Sequence, residues 1–183
     1  MSEDLLVRNC SPTLAGIKPA NLFSCKYPTQ RALTQYIRRI NKTLVPKGVR
    51  AVVMRAEEGR ALIYVFRYTA VKKMLRNEDA VKILRHYGYR ELRVEPCLCR
   101  LLSRCQDRAD FPHEIGLFLG YPPEDVMGFI QNKAHNQKCT GFWKVYGDPV
   151  AAEKIFERYR RCTRSYCSHF EHGKSIDRLT VAG

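Results

Sequence analysis

The sequence predicts an α+β fold, with a small, mostly antiparallel sheet packed with several helices in a single domain over 1–183. Two patterns support this prediction. Apolar residues recur at helical spacing after Thr29, and two runs rich in β-branched and aromatic residues, 49–54 and 61–68, flank the turn Glu57-Glu58-Gly59. The first pattern is typical of an amphipathic helix, and the second is typical of a β-hairpin.

Residues 1–28 are expected to form an ordered N-terminal arm. Within it, residues 10–28 contain three prolines and few charges, which indicates a loop with a short helix rather than a flexible linker. Thr29 can cap the helix that follows. The buried face of that helix is expected to hold Leu33, Tyr36, Ile37, Ile40 and Leu44. Pro46 and Gly48 end it.

After the hairpin, the pattern predicts two short helices over 69–76 and 78–87, the second capped by Asn77 and ended by Gly88. Pro96 suits the first turn of a further helix. The inner face of this helix is expected to contain Leu98, Leu101, Leu102 and Cys105. Its outer face is expected to carry a ridge of arginines at four-residue spacing, namely Arg100, Arg104 and Arg108.

The C-terminal part is predicted to contain two helices, over 113–120 and 123–133, joined by a Gly-Tyr-Pro turn. A strand is predicted over 140–146. Gly147-Asp148-Pro149 then begins a long helix that reaches about Gly173 and packs through Ala152, Ile155, Phe156 and Tyr159. A last short strand is predicted over 179–182.

Composition restricts the class of protein. The chain has 183 residues, of which 45% are hydrophobic and 27% charged, as is usual for a soluble globular protein. Its apolar runs are shorter than the roughly 20 residues that cross a bilayer, and its first residues are acidic where a signal peptide is basic. We therefore predict a cytoplasmic protein that does not enter a membrane, with its eight cysteines reduced.

The net charge is strongly positive. There are 32 basic and 18 acidic residues, which gives a formal charge of +14. A positive field of this size attracts nucleic acids, anionic cofactors or acidic protein partners, and it does not choose among them.

Charged and aromatic side chains within apolar stretches predict an anion site. A charge at the end of an apolar strand, as at Arg67, is normally paired or close to a ligand. Side chains that could bind phosphate or carboxylate, or stack on a ring, are Lys18, Arg67, His113, Trp143, Lys144 and Tyr146. We predict that they form one basic and aromatic pocket for an anionic small molecule or nucleotide-like cofactor. The alternative is that Arg67 only pairs with Glu114 or Asp148.

A second hypothesis is a thiol-dependent or redox enzyme that uses Cys10. A nearby cation such as Lys18 would lower the pKa of this thiol and make it a nucleophile. His113 and Glu114 are the candidate base and its orienting partner. The alternative is that Cys10 is a buried core residue and that His113 caps its own turn or forms a hydrogen bond within it.

A third hypothesis is nucleic-acid binding. The segment 114–130 resembles a helix-turn-helix, because a glycine turn separates two apolar helical patterns. The arginine ridges would add phosphate contacts through Arg100, Arg104, Arg108, Arg158 and Arg161. Against this hypothesis, Met127 and Gly128 occupy positions where base-reading polar groups are expected.

Metal binding is not predicted. Cys162, Cys167, His169 and His172 form the densest cluster of possible ligands. On one helix Cys162 and Cys167 point about 140° apart, so that they cannot face one ion together.

Four segments together resemble a known family. They are CSPTLAGIKPANLF at 10–23, LIYVFR at 62–67, FPHEIGLFLGYPPEDV at 111–126 and GFWKVYGD at 141–148. This chain is similar to an uncharacterised bacterial family, the domain of unknown function family 3793. The resemblance covers nearly the whole chain and implies a stand-alone cytosolic protein. It implies no activity, substrate or cofactor.

Overall fold

The computed structural model describes residues 2–107 and 111–183 and confirms the α+β class. The helices are α1 Glu3–Leu14, α2 Gln30–Leu44, α3 Tyr68–Met74, α4 Glu78–His86, α5 Val94–Gln106, α6 Ile115–Phe118, α7 Pro123–Gln131, α8 Pro149–Glu171 and α9 Ile176–Leu179, with a 3₁₀ turn at Val45–Lys47. The strands are β1 Ala20–Lys26, β2 Val49–Glu57, β3 Arg60–Arg67, β4 Cys139–Thr140 and β5 Lys144–Val145.

The chain divides into two compact units, residues 1–70 with 161–183 and residues 71–160. The single domain over 1–183 stays a prediction. Within the two described stretches, none of the helices has the length and apolarity needed to cross a membrane.

The first unit is built on a three-stranded antiparallel sheet with the order β1-β3-β2. Helices α1 and α2 pack against one face of this sheet, and their apolar side chains meet those of alternate strand residues. The core includes Leu6, Val7, Cys10 and Leu14 from α1, Leu33, Tyr36, Ile40 and Leu44 from α2, and Phe23, Ile63 and Val65 from the sheet. The amphipathic helix predicted after Thr29 is therefore confirmed, and the Thr29 hydroxyl accepts a hydrogen bond from the Ala32 N–H at 3.2 Å.

The predicted β-hairpin is also confirmed as β2 and β3. Its turn residues Glu58 and Gly59 both have positive φ, 49° and 74°, as the tight turns that match strand twist require. The register shifts between Val53 and Arg55, which places a bulge at Met54.

The N-terminal stretch contains more regular structure than the sequence indicated. Instead of a loop with a short helix, it forms the twelve-residue helix α1 and the strand β1. Pro12 lies inside α1, close to its C-terminal end. A helix is present in this stretch as expected, but the expected loop is wrong at 20–26, because β1 is stabilised by pairing with β3, about 40 residues away, which the local composition does not reveal.

The second unit contains α4 to α7, β4 and β5, with α7 contacting α4, α6 and β5. The helices predicted over 69–76 and 78–87 are present as α3 and α4, and Asn77 caps α4 through its Oδ1, 2.9 Å from Ala80 N. Helix α5 is rotated from its predicted orientation, since its buried residues are Val94, Cys97, Leu101 and Cys105. The prediction of an exposed arginine ridge is wrong at Arg104, because its side chain is 20% exposed and faces inward.

Two predicted strands are corrected. One strand was predicted over 140–146, but this segment forms a short hairpin in which Cys139 pairs with Val145 and Thr140 pairs with Lys144. Residues 179–182 form no strand, because the helix α9 ends at Leu179 and the Val181 N–H donates to the Leu14 carbonyl at 2.9 Å. The long helix predicted from Pro149 is confirmed as α8.

Asn41 joins α2 to the sheet through its side-chain amide. Its Nδ2 donates to the Ala51 carbonyl and its Oδ1 accepts from the Ala51 N–H, both at 2.8 Å. Strand β2 lies at the edge of the sheet, with β3 on one side only. The amide therefore satisfies backbone groups of an edge strand that the ladder does not reach.

We expect Asn41→Ala to lower the free energy of unfolding by about 1–3 kcal/mol, because two part-buried backbone groups lose their partner. Thr34→Ala on the same helix is the control, since the Thr34 hydroxyl only bonds to the Gln30 carbonyl at an exposed position. We expect this control to stay within roughly 0.5 kcal/mol of the wild type. Urea unfolding followed by circular dichroism measures both variants, and equal stabilities would contradict the role given to Asn41.

Candidate functional site

The second unit contains a cleft with a volume of about 280 Å³. The segment before α6, the helix α7 and the β4–β5 hairpin supply its walls. The residues that line it are Phe111, His113, Ile115, Gly116, Tyr121, Asp125, Val126, Phe129, Thr140, Gly141, Trp143 and Lys144. They come from three stretches of the sequence that the fold brings together.

Glycines let the walls of the cleft approach one another closely. A Cβ atom on Gly116 would lie 2.8 Å from Val126 Cγ2, and one on Gly128 would lie 2.5 Å from the Cβ of Tyr146. Both distances are too short for real contacts. Helix α7 therefore packs closely against α6 at Gly116 and against the hairpin at Gly128. At both glycines the space beside the backbone is too small for a side chain.

Asp125 fixes the hairpin against α7. Its Oδ2 accepts a hydrogen bond from Trp143 Nε1 at 2.7 Å, and its Oδ1 accepts from the backbone N–H groups of Tyr146 at 2.7 Å and Gly147 at 2.8 Å. The residue is only 3% exposed. Three donors around one carboxylate satisfy the buried charge. They also hold the indole of Trp143 in one orientation.

Five of the twelve lining residues carry an aromatic ring. Tyr121 stacks on Trp143 with ring centroids 5.0 Å apart and an interplanar angle of 27°. Phe156 meets the indole edge-on at 4.5 Å, and His113 meets Phe129 edge-on at 5.1 Å. These geometries are the favourable ones for ring pairs. The cleft is therefore bounded by flat, well-supported apolar surfaces.

Three polar side chains in the lining are less deeply buried, namely His113, Thr140 and Lys144. The first two are exposed. Lys144 is half-buried, and its Nζ donates to the Ala134 carbonyl at 2.6 Å. An ammonium group has three donors. In the part of the chain that the structure describes, Lys144 makes no ion pair.

The loop that supplies this carbonyl has an unusual backbone. Lys133, Ala134 and Asn136 have φ values of 48°, 64° and 60°, in the left-handed region that side chains other than asparagine and glycine avoid. Such a conformation costs on the order of 1 kcal/mol for each non-glycine residue. The loop presents the Ala134 carbonyl to Lys144 in this strained form.

Three of the residues predicted for an anion pocket share this cleft: His113, Trp143 and Lys144. Tyr146 packs on Gly128 and does not belong to the lining. Among the described residues its buried hydroxyl has no hydrogen-bond partner. Lys18 and Arg67 belong to the first unit.

Arg67 has a structural environment within the first unit. The side chain is 6% exposed. Its Nε donates to the Thr13 carbonyl at 2.7 Å, and its Nη2 donates to those of Leu14 and Val181 at 2.7 and 2.8 Å. Two of these carbonyls lie at the C-terminal end of α1, where a cation is favourable. Burial lowers the pKa of the guanidinium.

The pairing of Arg67 with Glu114 or Asp148, offered above as an alternative, was wrong. Glu114 is fully buried and accepts from Arg104 Nε at 2.5 Å and from the Tyr89 hydroxyl at 3.1 Å. Asp148 caps α8 by accepting from the Val150 N–H at 2.8 Å.

The structure also gives Cys10 an environment opposite to the one that thiol chemistry needs. The residue is fully buried in the core of the first unit, and desolvation raises the pKa of its thiol, although Lys18 acts to lower it. Lys18 is itself buried, donates from Nζ to the Ala20 carbonyl, and has its pKa lowered by desolvation to about 8. His113 and Glu114 belong to the other unit.

The residues chosen for nucleic-acid binding have different environments. Arg100 is exposed, and Arg104 forms the buried ion pair with Glu114. Arg108 lies outside the described residues. Arg158 and Arg161 are exposed and each has an interaction partner.

The helix-turn-helix interpretation of 114–130 meets two difficulties. Helix α6 is a single turn of four residues. The first turn of α7 carries Glu124 and Asp125, whereas a recognition helix contacts DNA with its N-terminal residues. The exposed carboxylate of Glu124 at that position would repel phosphates, and Asp125 is buried against the hairpin.

Across the two described stretches, no group of three or more histidine, cysteine or acidic residues is arranged to hold a metal ion.

Sequence reasoning missed Asp125, which holds the hairpin against α7, and Phe129, which meets the ring of His113 edge-on. An acid in the first turn of a helix is common, so nothing local distinguished Asp125. The signal that could have found it is the lone tryptophan, since a buried indole N–H needs an acceptor.

Comparison with known proteins supports the family resemblance. The family described as "Protein of unknown function (DUF3793)" matches residues 6–180. The chain belongs to this family. Comparison with curated proteins and with solved structures gives no match. The family carries no activity to transfer, so function must be argued from the geometry.

We expect Cys10 to resist alkylation by iodoacetamide in the folded protein, because its raised pKa leaves less thiolate than in a free cysteine and no solvent reaches it. Cys99 is exposed and is the internal control. Mass spectrometry of peptides after brief labelling at pH 8 compares the two sites. Labelling of Cys10 at a rate equal to that of Cys99 would contradict this placement.

We expect Asp125→Asn to lower the free energy of unfolding by about 1–3 kcal/mol, because the new amide would turn an N–H toward one of three N–H donors. Glu124→Gln is the matched control, since it removes a charge from the same helical turn without those bonds. Urea unfolding followed by Trp143 fluorescence measures both. If the two variants lose the same stability, the loss comes from the helix dipole alone, and the role given to the three hydrogen bonds is contradicted.

Proposed function

We propose that this protein binds a small molecule with a flat ring system and one anionic group in the cleft of the second unit. The observation that carries this proposal is the joint presence of a rigid aromatic wall and Lys144 in one cavity. Aromatic walls with a few fixed polar groups are the usual composition of small-molecule sites.

The size of the cleft favours a compact ligand. Its volume of about 280 Å³ lies near the lower limit of the roughly 300–1,000 Å³ found for small-molecule pockets. One or two fused rings match this volume better than a dinucleotide does. Among nucleotide-like cofactors, a mononucleotide is therefore the largest that we include in the proposal.

Charge in the cleft favours an anion. The carboxylate in the lining, Asp125, already accepts hydrogen bonds from three N–H donors of the protein. The ammonium of Lys144 keeps donor capacity beyond its bond to Ala134. The ring of His113 can add a further donor at the exposed side. A carboxylate or phosphate would meet these donors, and the one acid in the lining is compensated by its own three N–H donors.

The strained loop supports a fixed position for this cation. A non-glycine residue in the left-handed region, such as Ala134, persists only where the surrounding contacts determine the backbone. Here the Ala134 N–H donates to the Phe129 carbonyl at 2.9 Å, and the Ala134 carbonyl accepts from Lys144. A preorganised donor loses less conformational freedom when it binds a ligand.

Calorimetric titration with benzoate, indole-3-carboxylate, nicotinate, AMP and FMN tests the proposal, with Trp143 emission as the second readout. Trp143 is the only tryptophan, so a ligand against its ring changes the fluorescence of one known residue. For any compound that binds, we expect Lys144→Met to weaken affinity by roughly 10- to 100-fold, because one charge-assisted hydrogen bond is lost.

Lys138→Met is the matched control. Lys138 lies on the same hairpin and also donates to a backbone carbonyl, that of Gly147, at 2.7 Å, but it does not line the cleft. We expect it to bind as the wild type does. Equal weakening in the two variants, or no response of the folded protein to any of the five compounds, would contradict the proposal.

A further inference from the structure

The solvent-facing side of α2 carries a concentration of positive charge. The exposed basic residues of this helix are Arg31, Arg38, Arg39 and Lys42, and together they are named the α2 basic face. The helix contains no aspartate or glutamate. We propose that the α2 basic face binds nucleic acid through the phosphate backbone. This surface lies in the first unit, and the proposal does not rest on the cleft.

The cations of the α2 basic face are not neutralised by the rest of the described chain. None of the four forms a salt bridge with a residue in 2–107 or 111–183, and the guanidinium of Arg39 lies 5.8 Å over the ring of Tyr36. In α8, by contrast, Arg160 pairs with Glu153 and Glu157.

The like charges within this pattern do not stabilise the helix. Like charges four residues apart, such as Arg38 and Lys42, repel each other and weaken a helix by a few tenths of a kcal/mol. Helix α2 is held instead by its buried face, which includes Leu33, Ile40 and Leu44. A partner that supplies negative charge accounts for the pattern.

The spacing of the α2 basic face suits a nucleic-acid strand. Residues 31 and 42 are eleven positions apart, which corresponds to about 16 Å along the helix axis. Phosphates follow one another at roughly 3.4 Å of rise in each strand. The face therefore spans the phosphates of about five consecutive nucleotides.

The surroundings favour nucleic acid over a membrane surface. A helix that lies on a bilayer inserts apolar side chains into it, whereas the apolar side chains of α2 are buried in the protein core. Beside the face lies a hollow of about 340 Å³ lined by Pro28, Ala32, Gln35, Tyr36 and Arg39. Its amide and guanidinium groups are donors suited to a base edge or a phosphate.

The test uses a fluorescein-labelled, mixed-sequence RNA of 20 nucleotides and a DNA duplex of 20 base pairs, measured by anisotropy between 50 and 200 mM salt. For four phosphate contacts with a single strand, we expect log K to fall with log salt with a slope of about −3. Arg31→Gln, Arg38→Gln and Lys42→Gln combined should reduce that slope to about −1 and weaken binding at 50 mM salt by at least tenfold. Arg39 is left in place because it packs on Tyr36.

The matched control combines Lys72→Gln, Lys73→Gln and Arg76→Gln, which remove the same charge from exposed positions on and just after α3, near Glu78 and Asp79. We expect it to keep the wild-type slope and most of the affinity. Equal losses in the two triple variants would show that net charge alone is responsible, and would overturn the proposal. Binding to phosphatidylserine vesicles or to polyglutamate, with no binding to either nucleic acid, would overturn it as well.

Discussion

Asp125 joins helix α7 to the β4–β5 hairpin by accepting hydrogen bonds from Trp143, Tyr146 and Gly147. The hairpin has only two residues in each strand, and so short a pair is not stable in water without further contacts. The carboxylate supplies them and fixes the indole at the same time. The stacking on Tyr121 and the position of the neighbouring Lys144 both follow from this arrangement, so the cleft depends on one buried acid.

Two other buried charges within 2–107 and 111–183 are also satisfied by their immediate surroundings, each in a different way. Arg67 donates to three backbone carbonyls, two of them at the end of α1. Glu114 accepts from Arg104 and Tyr89. Burial of a charge without such partners would be far more costly than any of these bonds is favourable. A charged residue inside an apolar stretch is therefore evidence of burial, and only its partners reveal whether a ligand is involved.

The sequence was sufficient to predict the elements whose stability is local. The helix α2, the hairpin of β2 and β3 and the helix α8 carry their own periodicity, caps and turn residues. Prediction from the sequence failed for β1, because this strand depends on pairing with a distant strand. It also failed for the orientation of α5, because Arg104 faces inward to a glutamate ten residues further along the chain. Long-range partners decide both cases, and a local pattern does not contain them.

The same limit applies to the candidate site. His113, Trp143 and Lys144 were recognised because polar and aromatic residues are dense in that part of the sequence, and the structure places them in one cleft. Lys18 and Arg67 were chosen by the same reasoning, yet their side chains are bound to backbone carbonyls of the first unit. Residue type gave the chemistry of each group, but it could not give its hydrogen-bond partners.

The two anion-binding surfaces proposed for this chain rest on different physics. In the cleft, one half-buried ammonium lies beside aromatic walls, so its interaction with a bound anion would be strengthened by the lower local dielectric and screened less by salt. On α2, four cations are exposed to water. Each of them alone would contribute little to the affinity for an anion, and salt would weaken their combined attraction. Selectivity in the cleft would come mainly from shape, whereas selectivity on α2 would come mainly from the spacing and density of phosphates. The formal charge of +14 therefore says less about function than the way in which each cation is, or is not, neutralised by its neighbours.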